Sequence, residues 1–137
     1  FEKKNSISFT LTSSNHIVIE CEINYVLGIF IVDTGASSSC INYFSASKFD
    51  IEFVVSNEKA SSATDEINEI FNSKKNILKI GDFQKNDFNL VLFDMTFINN
   101  SLKEKGVSEV DGIIGGDILN ELSACVNYKK KEITLEF

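Results

Sequence analysis

The sequence predicts an all-β fold with one short C-terminal helix. Two observations carry this expectation. Runs of β-branched and aromatic residues recur along the 137 residues and are separated by Asn, Asp, Gly and Ser, the pattern of short strands joined by turns. Helical spacing stands out near the end of the chain, at residues 117–122. There Ile118, Leu119 and Leu122 fall on one side, and Asp117 suits the helix start by capping and by its charge.

The elements follow in order. Residues 6–12 alternate loosely, whereas 17–23 alternate clearly, with Ile17, Ile19, Cys21 and Ile23 on one face. Asn24 and Tyr25 make a tight turn, after which 26–32 returns as a nearly continuous apolar strand. Cys40 and Ile41 are core candidates, and a brief helical segment fits 43–48. Residues 51–56 read as a strand, and 57–66 are small and polar with no glycine. Further strands fall at 67–71, at 76–80 ending on Gly81-Asp82, and at 89–94, with 83–88 crossing back. Residues 95–110 are less regular, with room for a helical turn at 101–105 and apolar Phe97, Ile98 and Leu102. Residues 112–115 form a short glycine-bounded strand of the kind that passes close to another backbone. After the helix, 124–127 and 132–137 make a hairpin around Lys129, Lys130 and Lys131.

Length and composition narrow the classes. A chain of 137 residues can bury a core and is too short for two ordinary domains, so a single domain over 1–137 is expected, with 1–14 as a peripheral N-terminal strand. The net charge of −7 argues against nucleic acid as a partner, because phosphate is held by clustered Lys and Arg, and the lysine run sits in a turn. Cys21, Cys40 and Cys125 are odd in number and lack ligand spacing, and His16 is the single histidine. No disulfide framework, metal site or cysteine or serine triad is therefore expected. No run reaches membrane-spanning length. Localisation stays open: unpaired thiols favour a reducing interior, whereas a leader removed ahead of Phe1 would place the chain in the periplasm or at the surface. The Lys, Asn, Ile and Phe bias without proline is compatible with a bacterial source.

The chemistry concentrates where the strand 29–32 ends on Asp33, followed by Thr34, Gly35, Ala36 and Ser37. Asp and Gly are depleted in strands, so a carboxylate stands where a buried strand breaks into a turn. Alone, such an Asp reads as a turn residue. A second element changes the balance: Ile113, Ile114 and Gly115, then Asp117, Ile118 and Leu119. Together the two resemble the signatures of the retropepsin-like aspartic proteases, in the order and separation of that family, and the resemblance spans about residues 17–137.

The resemblance implies a closed β-barrel of the acid protease type, with Asp33 catalytic and Thr34, Gly35, Ala36 and Ser37 supporting it. Ile113, Ile114, Gly115 and Asp117 take the structural role of the second signature. It also places a substrate-covering flap at Ala60, Ser61, Ser62, Ala63 and Thr64, although composition alone fits an ordinary solvated loop equally well. By the same likeness, Ile133, Leu135 and Phe137 are interface candidates.

Peptide hydrolysis by carboxylates needs one group to accept a proton from water and another to donate one. The chain has a single Asp-Thr-Gly turn, so the expected enzyme is a homodimer with one site at a two-fold axis, acting on a peptide or protein substrate. The alternatives are a catalytically inactive peptide-binding module and a dimerisation module of the same fold.

Overall fold

The computed structural model describes residues 4–61 and 67–137. The flap positions Ser62, Ala63 and Thr64 lie outside the described residues. The strands are β1 (Lys4–Ser8), β2 (Thr10–Leu11), β3 (Ile17–Ile23), β4 (Val26–Val32), β5 (Cys40–Asn42), β6 (Val54–Ser61), β7 (Ile67–Ile80), β8 (Phe83–Phe93), β9 (Gly112–Ile114), β10 (Cys125–Asn127) and β11 (Glu132–Glu136). Among the described residues two α-helices join them, α1 (Thr96–Glu104) and α2 (Gly116–Glu121), together with a 3-10 turn at Tyr43–Ser45.

The larger sheet runs β2-β3-β4-β9-β5-β8-β7-β6, and an additional pairing of β3 with β7 closes six of these strands into a barrel. The all-β class, the closed barrel and the late helix are as the sequence predicts. The β3–β4 hairpin has the expected register, from Ile17 opposite Val32 to Ile23 opposite Val26. Its turn puts Asn24 at φ +52° and Tyr25 at φ +67°, the left-handed pair that matches the twist of a two-residue hairpin. Asn24 suits this place for a second reason. Its side-chain oxygen accepts from the Ile77 amide, and its amide nitrogen donates to the Phe49 carbonyl and to Asn76, which fastens the hairpin to β7.

Alternation along β4 sends its side chains to two different cores. Phe30 and Val32 join the main cluster inside the barrel. Ile31 faces the other way and packs with Cys40, Met95, Leu102 and Val110. β9 runs parallel to β4 and antiparallel to β5, and Gly112 permits the passage. A Cβ there would fall on the Cys40 carbonyl oxygen and lie 2.8 Å from the Phe30 ring.

Four details differ from the sequence reading. The separate strands expected at 67–71 and 76–80, and at 83–88 and 89–94, are joined into β7 and β8. The polar residues between the first pair form an irregularity in the ladder, with Lys75 at φ +65°. Ser73 and Asn76 are buried there, Asn76 donating to the Ser73 hydroxyl, which itself donates to the Glu52 carbonyl. β6 begins at Val54, because Ile51 is buried and its amide bonds Ala46 in the preceding turn.

The irregular stretch 95–110 contains a nine-residue helix, α1. Its inner face carries Asn99 between apolar positions, which breaks the hydrophobic period. That amide is satisfied by donating to the Val110 carbonyl and accepting from the Val110 amide. Finally, Ile133 and Leu135 are each 1% exposed, within the three-stranded sheet β1-β11-β10. These side chains fill the chain's own core, so they do not serve as an interface, and Phe137 packs edge-on against Phe83 at 5.3 Å.

Asp111 ties three parts of the barrel. Its carboxylate accepts from the Ile29 amide at 3.0 Å, the Ser45 hydroxyl at 2.9 Å and the Lys48 ammonium at 2.9 Å. We predict that Asp111→Ala costs about 1–3 kcal/mol in chemical denaturation, because it strands inward-facing donors. Lys48, whose side chain is 45% exposed, should cost no more than about 1 kcal/mol on conversion to Ala. Equal losses from the two variants would show that the ion pair, not the inner hydrogen bonds, carries the tie.

Candidate active site

Asp33 follows the last residue of β4, and its amide continues the ladder by donating to the Ile114 carbonyl at 3.0 Å. The chain then turns sharply. The Gly35 amide donates to Asp33 Oδ1 at 2.8 Å, and the Ala36 amide donates to the Asp33 carbonyl at 3.2 Å. Asp33, Thr34 and Gly35 are all exposed, so the strand end presents a carboxylate outward with one oxygen already oriented by a backbone amide.

The turn is held from below by the second signature. The Gly116 amide donates to the Ala36 carbonyl at 2.7 Å, and the Asp117 amide to the Ser37 carbonyl at 3.2 Å. A Cβ on Gly115 would stand 2.6 Å from the Ala36 carbonyl oxygen, so only glycine allows this approach. Asp117 lies in the first turn of α2, where a negative charge suits the helix dipole. Its carboxylate reaches across to Ser39, accepting from the Ser39 amide at 3.0 Å and the Ser39 hydroxyl at 2.7 Å. The same hydroxyl accepts from the Gly115 amide at 2.8 Å.

The structure therefore gathers Asp33, Thr34, Gly35, Ala36 and Ser37 on one loop, with Ile113, Ile114, Gly115 and Asp117 directly beneath it. Ser37 is exposed and enters the framework through its carbonyl. Sequence reading missed Ser39, which is 3% exposed and links both signatures. Its only sequence signal is its place in the run of three serines after Ala36.

The flap hairpin is described up to the pairs Ala60 with Asn68 and Ser61 with Ile67. Its root is aromatic. The Tyr43 ring lies 4.8 Å from Phe71 and 5.4 Å from Phe53, and Phe53 lies 5.1 Å from Phe71. Val54 and Val55 are both exposed although adjacent strand residues point to opposite faces, so β6 leaves the body of the barrel at that point. Among the described residues no cluster of three His, Cys, Asp or Glu side chains is placed to hold a metal ion.

Burial governs the thiols nearby. The Cys40 thiol is pushed up to about 12, chiefly by burial and further by the Asp117 and Asp33 carboxylates, against a lowering hydrogen bond from the Ile113 backbone. Cys21 is raised well above the usual thiol range by burial, with Asp111 and Glu22 adding to it.

Comparison with known proteins finds a family model and several solved structures similar to this chain. A family model described as aspartyl protease matches residues 19–118. A retropepsin-like aspartic protease from Rickettsia conorii is similar over 100% of this chain and 94% of its own, with a TM-score of 0.63 at 14% identity. The retroviral protease-like domain of Ddi1 from Leishmania major is similar over 88% of this chain and 87% of its own, at a TM-score of 0.60 and 18% identity. EIAV protease, solved in complex with the inhibitor HBY-793, is similar over 86% and 98% respectively, at 0.63 and 16%. At such identities the likeness is one of fold, and the fold is retropepsin-like. No curated protein sequence matches the chain.

Two predictions follow from the geometry. Ser39→Ala removes a buried donor and acceptor at once, and we predict a loss of about 1–3 kcal/mol; an unchanged denaturation midpoint would show that the link between the signatures is not stabilising. For Cys40, the folded thiol keeps its proton to about 12, while an unfolded thiol loses it near ~8.5. The unfolded state then binds fewer protons, so we predict that stability is fully present below about pH 8.5 and falls as pH rises from there toward 12. Cys40→Ala should flatten that decline.

Proposed function

This chain belongs to the aspartyl protease family, and on that premise we propose that it is an aspartic endopeptidase, working as a homodimer in which water is activated between two copies of Asp33. The observation that carries this reading is the single Asp-Thr-Gly turn, held rigidly from below and left exposed above. One carboxylate cannot both take a proton from water and give one to the carbonyl oxygen or the leaving amine. Two facing carboxylates repel when both are ionised and so share one proton, which supplies both roles.

In this mechanism one Asp33 accepts the proton of the attacking water while its twin, protonated, hydrogen-bonds the substrate carbonyl. Gly35 holds the carboxylate through its amide, Thr34 braces the opposing turn, and Ala36 and Ser37 keep the site small. The substrate is an extended peptide or protein segment covered by the β6–β7 hairpins. No cofactor enters the chemistry, and residues 1–137 act as one domain. The absence of glycine between Asn57 and Glu66 favours a second reading, in which the same fold binds peptide or pairs with itself without cutting.

We predict that Asp33→Asn lowers peptidase activity by roughly 100- to 10,000-fold while thermal stability and dimerisation are kept. Activity should favour acid to near-neutral pH, where the pair holds one proton, and a pepstatin-type inhibitor should block it. A wild-type protein that stays monomeric at every concentration in sedimentation, or an Asp33→Asn variant as active as wild type, would overturn the mechanism. Peptide binding without cleavage by either protein would favour the second reading.

A further inference from the structure

The loop that carries Asp33 is a short span fixed at both ends. At its entry the Asp33 amide continues the ladder through the Ile114 carbonyl at 3.0 Å. At its exit stands Ser39, the residue before β5, which is 3% exposed. Between the two ends Thr34, Gly35, Ser37 and Ser38 are exposed, and the loop meets the second signature through the carbonyls of Ala36 and Ser37. Among the described residues, Ser39 is the one residue of the loop whose side chain bonds that signature. Its hydroxyl accepts from the Gly115 amide at 2.8 Å and donates to Asp117 Oδ1 at 2.7 Å, while its own amide donates to the same oxygen at 3.0 Å. Gly115 follows Ile114 in the chain, so entry and exit are fastened to adjacent residues. The place needs a group that accepts and donates at once, which a hydroxyl does. Alanine there would leave the buried Gly115 amide without its acceptor and release the loop's exit from β9.

We propose that Ser39 is a positioning residue for peptide hydrolysis, setting the separation of the two Asp33 carboxylates across the two-fold axis; the assignment rests on the homodimeric peptidase reading above. The Ser39 hydroxyl touches neither the substrate nor the reacting oxygens and acts through the backbone of the loop. In a symmetric pair every displacement of the loop occurs twice, so a small shift at Ser39 is enlarged where the carboxylates meet. Two consequences follow for the reaction. The rate falls steeply with misplacement, about 100-fold for roughly 1 Å. Proton sharing changes as well, because repulsion between like charges weakens with distance. The pH range in which the pair holds one proton therefore narrows as the carboxylates draw apart. Contacts to the rest of the peptide are untouched, so the effect falls on kcat and not on KM.

The test measures kcat and KM across pH for a peptide that the wild type cleaves, with rates expressed per folded dimer as counted by sedimentation. Ser39→Ala should lower kcat by roughly 10- to 100-fold, keep KM within about 2-fold, and narrow the pH range of half-maximal kcat/KM by about half a unit or more. Ser39→Thr, which keeps the hydroxyl, should restore both the rate and the width. Asp117→Ala removes the hydroxyl's acceptor and leaves Ser39 in place. It should reproduce the loss and the narrowing, and it decides the question if Ser39→Ala does not fold. Asp111→Ala is the control for stability alone, since Asp111 precedes β9 at the end away from Gly115; its kcat per folded dimer should stay within about 2-fold of wild type. A Ser39→Ala enzyme with the rate and pH width of wild type overturns the positioning role and leaves the peptidase reading standing. So does a loss of rate with no change in pH width, or one that Asp111→Ala matches, either of which would make Ser39 a stabilising residue only. A wild type that cleaves no peptide removes the peptidase reading and the role of Ser39 with it.

Discussion

The parallel pairing of β4 with β9 is the constraint on which the rest depends. It joins segments some eighty residues apart in the chain, and the two strands end together, one on Asp33 and the other on Gly115. Because β9 is only three residues long, the pairing has little ladder of its own. It is held by what surrounds it: Gly112 fits against the Cys40 carbonyl, Gly115 against the Ala36 carbonyl, and Asp117 grips Ser39. A side chain at either glycine would push β9 or α2 away from the loop that carries the carboxylate.

Three aspartates show how environment divides one residue type into different roles. Asp111 is mostly enclosed and accepts hydrogen bonds from Ile29, Ser45 and Lys48. Asp117 is turned toward Ser39 and closes the base of the loop. Asp33 is exposed, with Oδ1 held by the Gly35 amide. The first two carboxylates answer donors within the fold, which would otherwise be left unsatisfied. Asp33 is oriented outward, where a second carboxylate and a water can reach it.

The two-sided burial of β4 places a second core against the face from which Asp33 rises. Its partners come from α1 and from the return to Val110, with Asn99 locking helix to return through both backbone groups of Val110. This small cluster makes α1 a wall beside the candidate site instead of a peripheral decoration. It also accounts for Cys40, whose thiol is buried in that core and is pushed up to about 12, chiefly by that burial and further by the Asp117 and Asp33 carboxylates.

The hairpin of β3 and β4, the turn at Asn24 and Tyr25, the Asp33 loop, the glycine-bounded β9 and the start of α2 were all legible in the chain, because each rests on local signals: alternation, turn residues, and an acid or glycine where a strand must stop. α1 was not, since its inner face spends a position on Asn99, which reads as polar until Val110 is brought to it. The continuity of β7 was hidden in the same way by Ser73 and Asn76, buried polar residues that satisfy one another only once folded. The role of Ser39 and the burial of Ile133 and Leu135 also came from tertiary packing, because which side a strand buries depends on the neighbour it meets. By itself the sequence determined the all-β class and the residues that stand at the turn. Only the tertiary structure decided what lies beneath and beside that turn, since contacts between residues far apart in the chain leave no periodic trace in it.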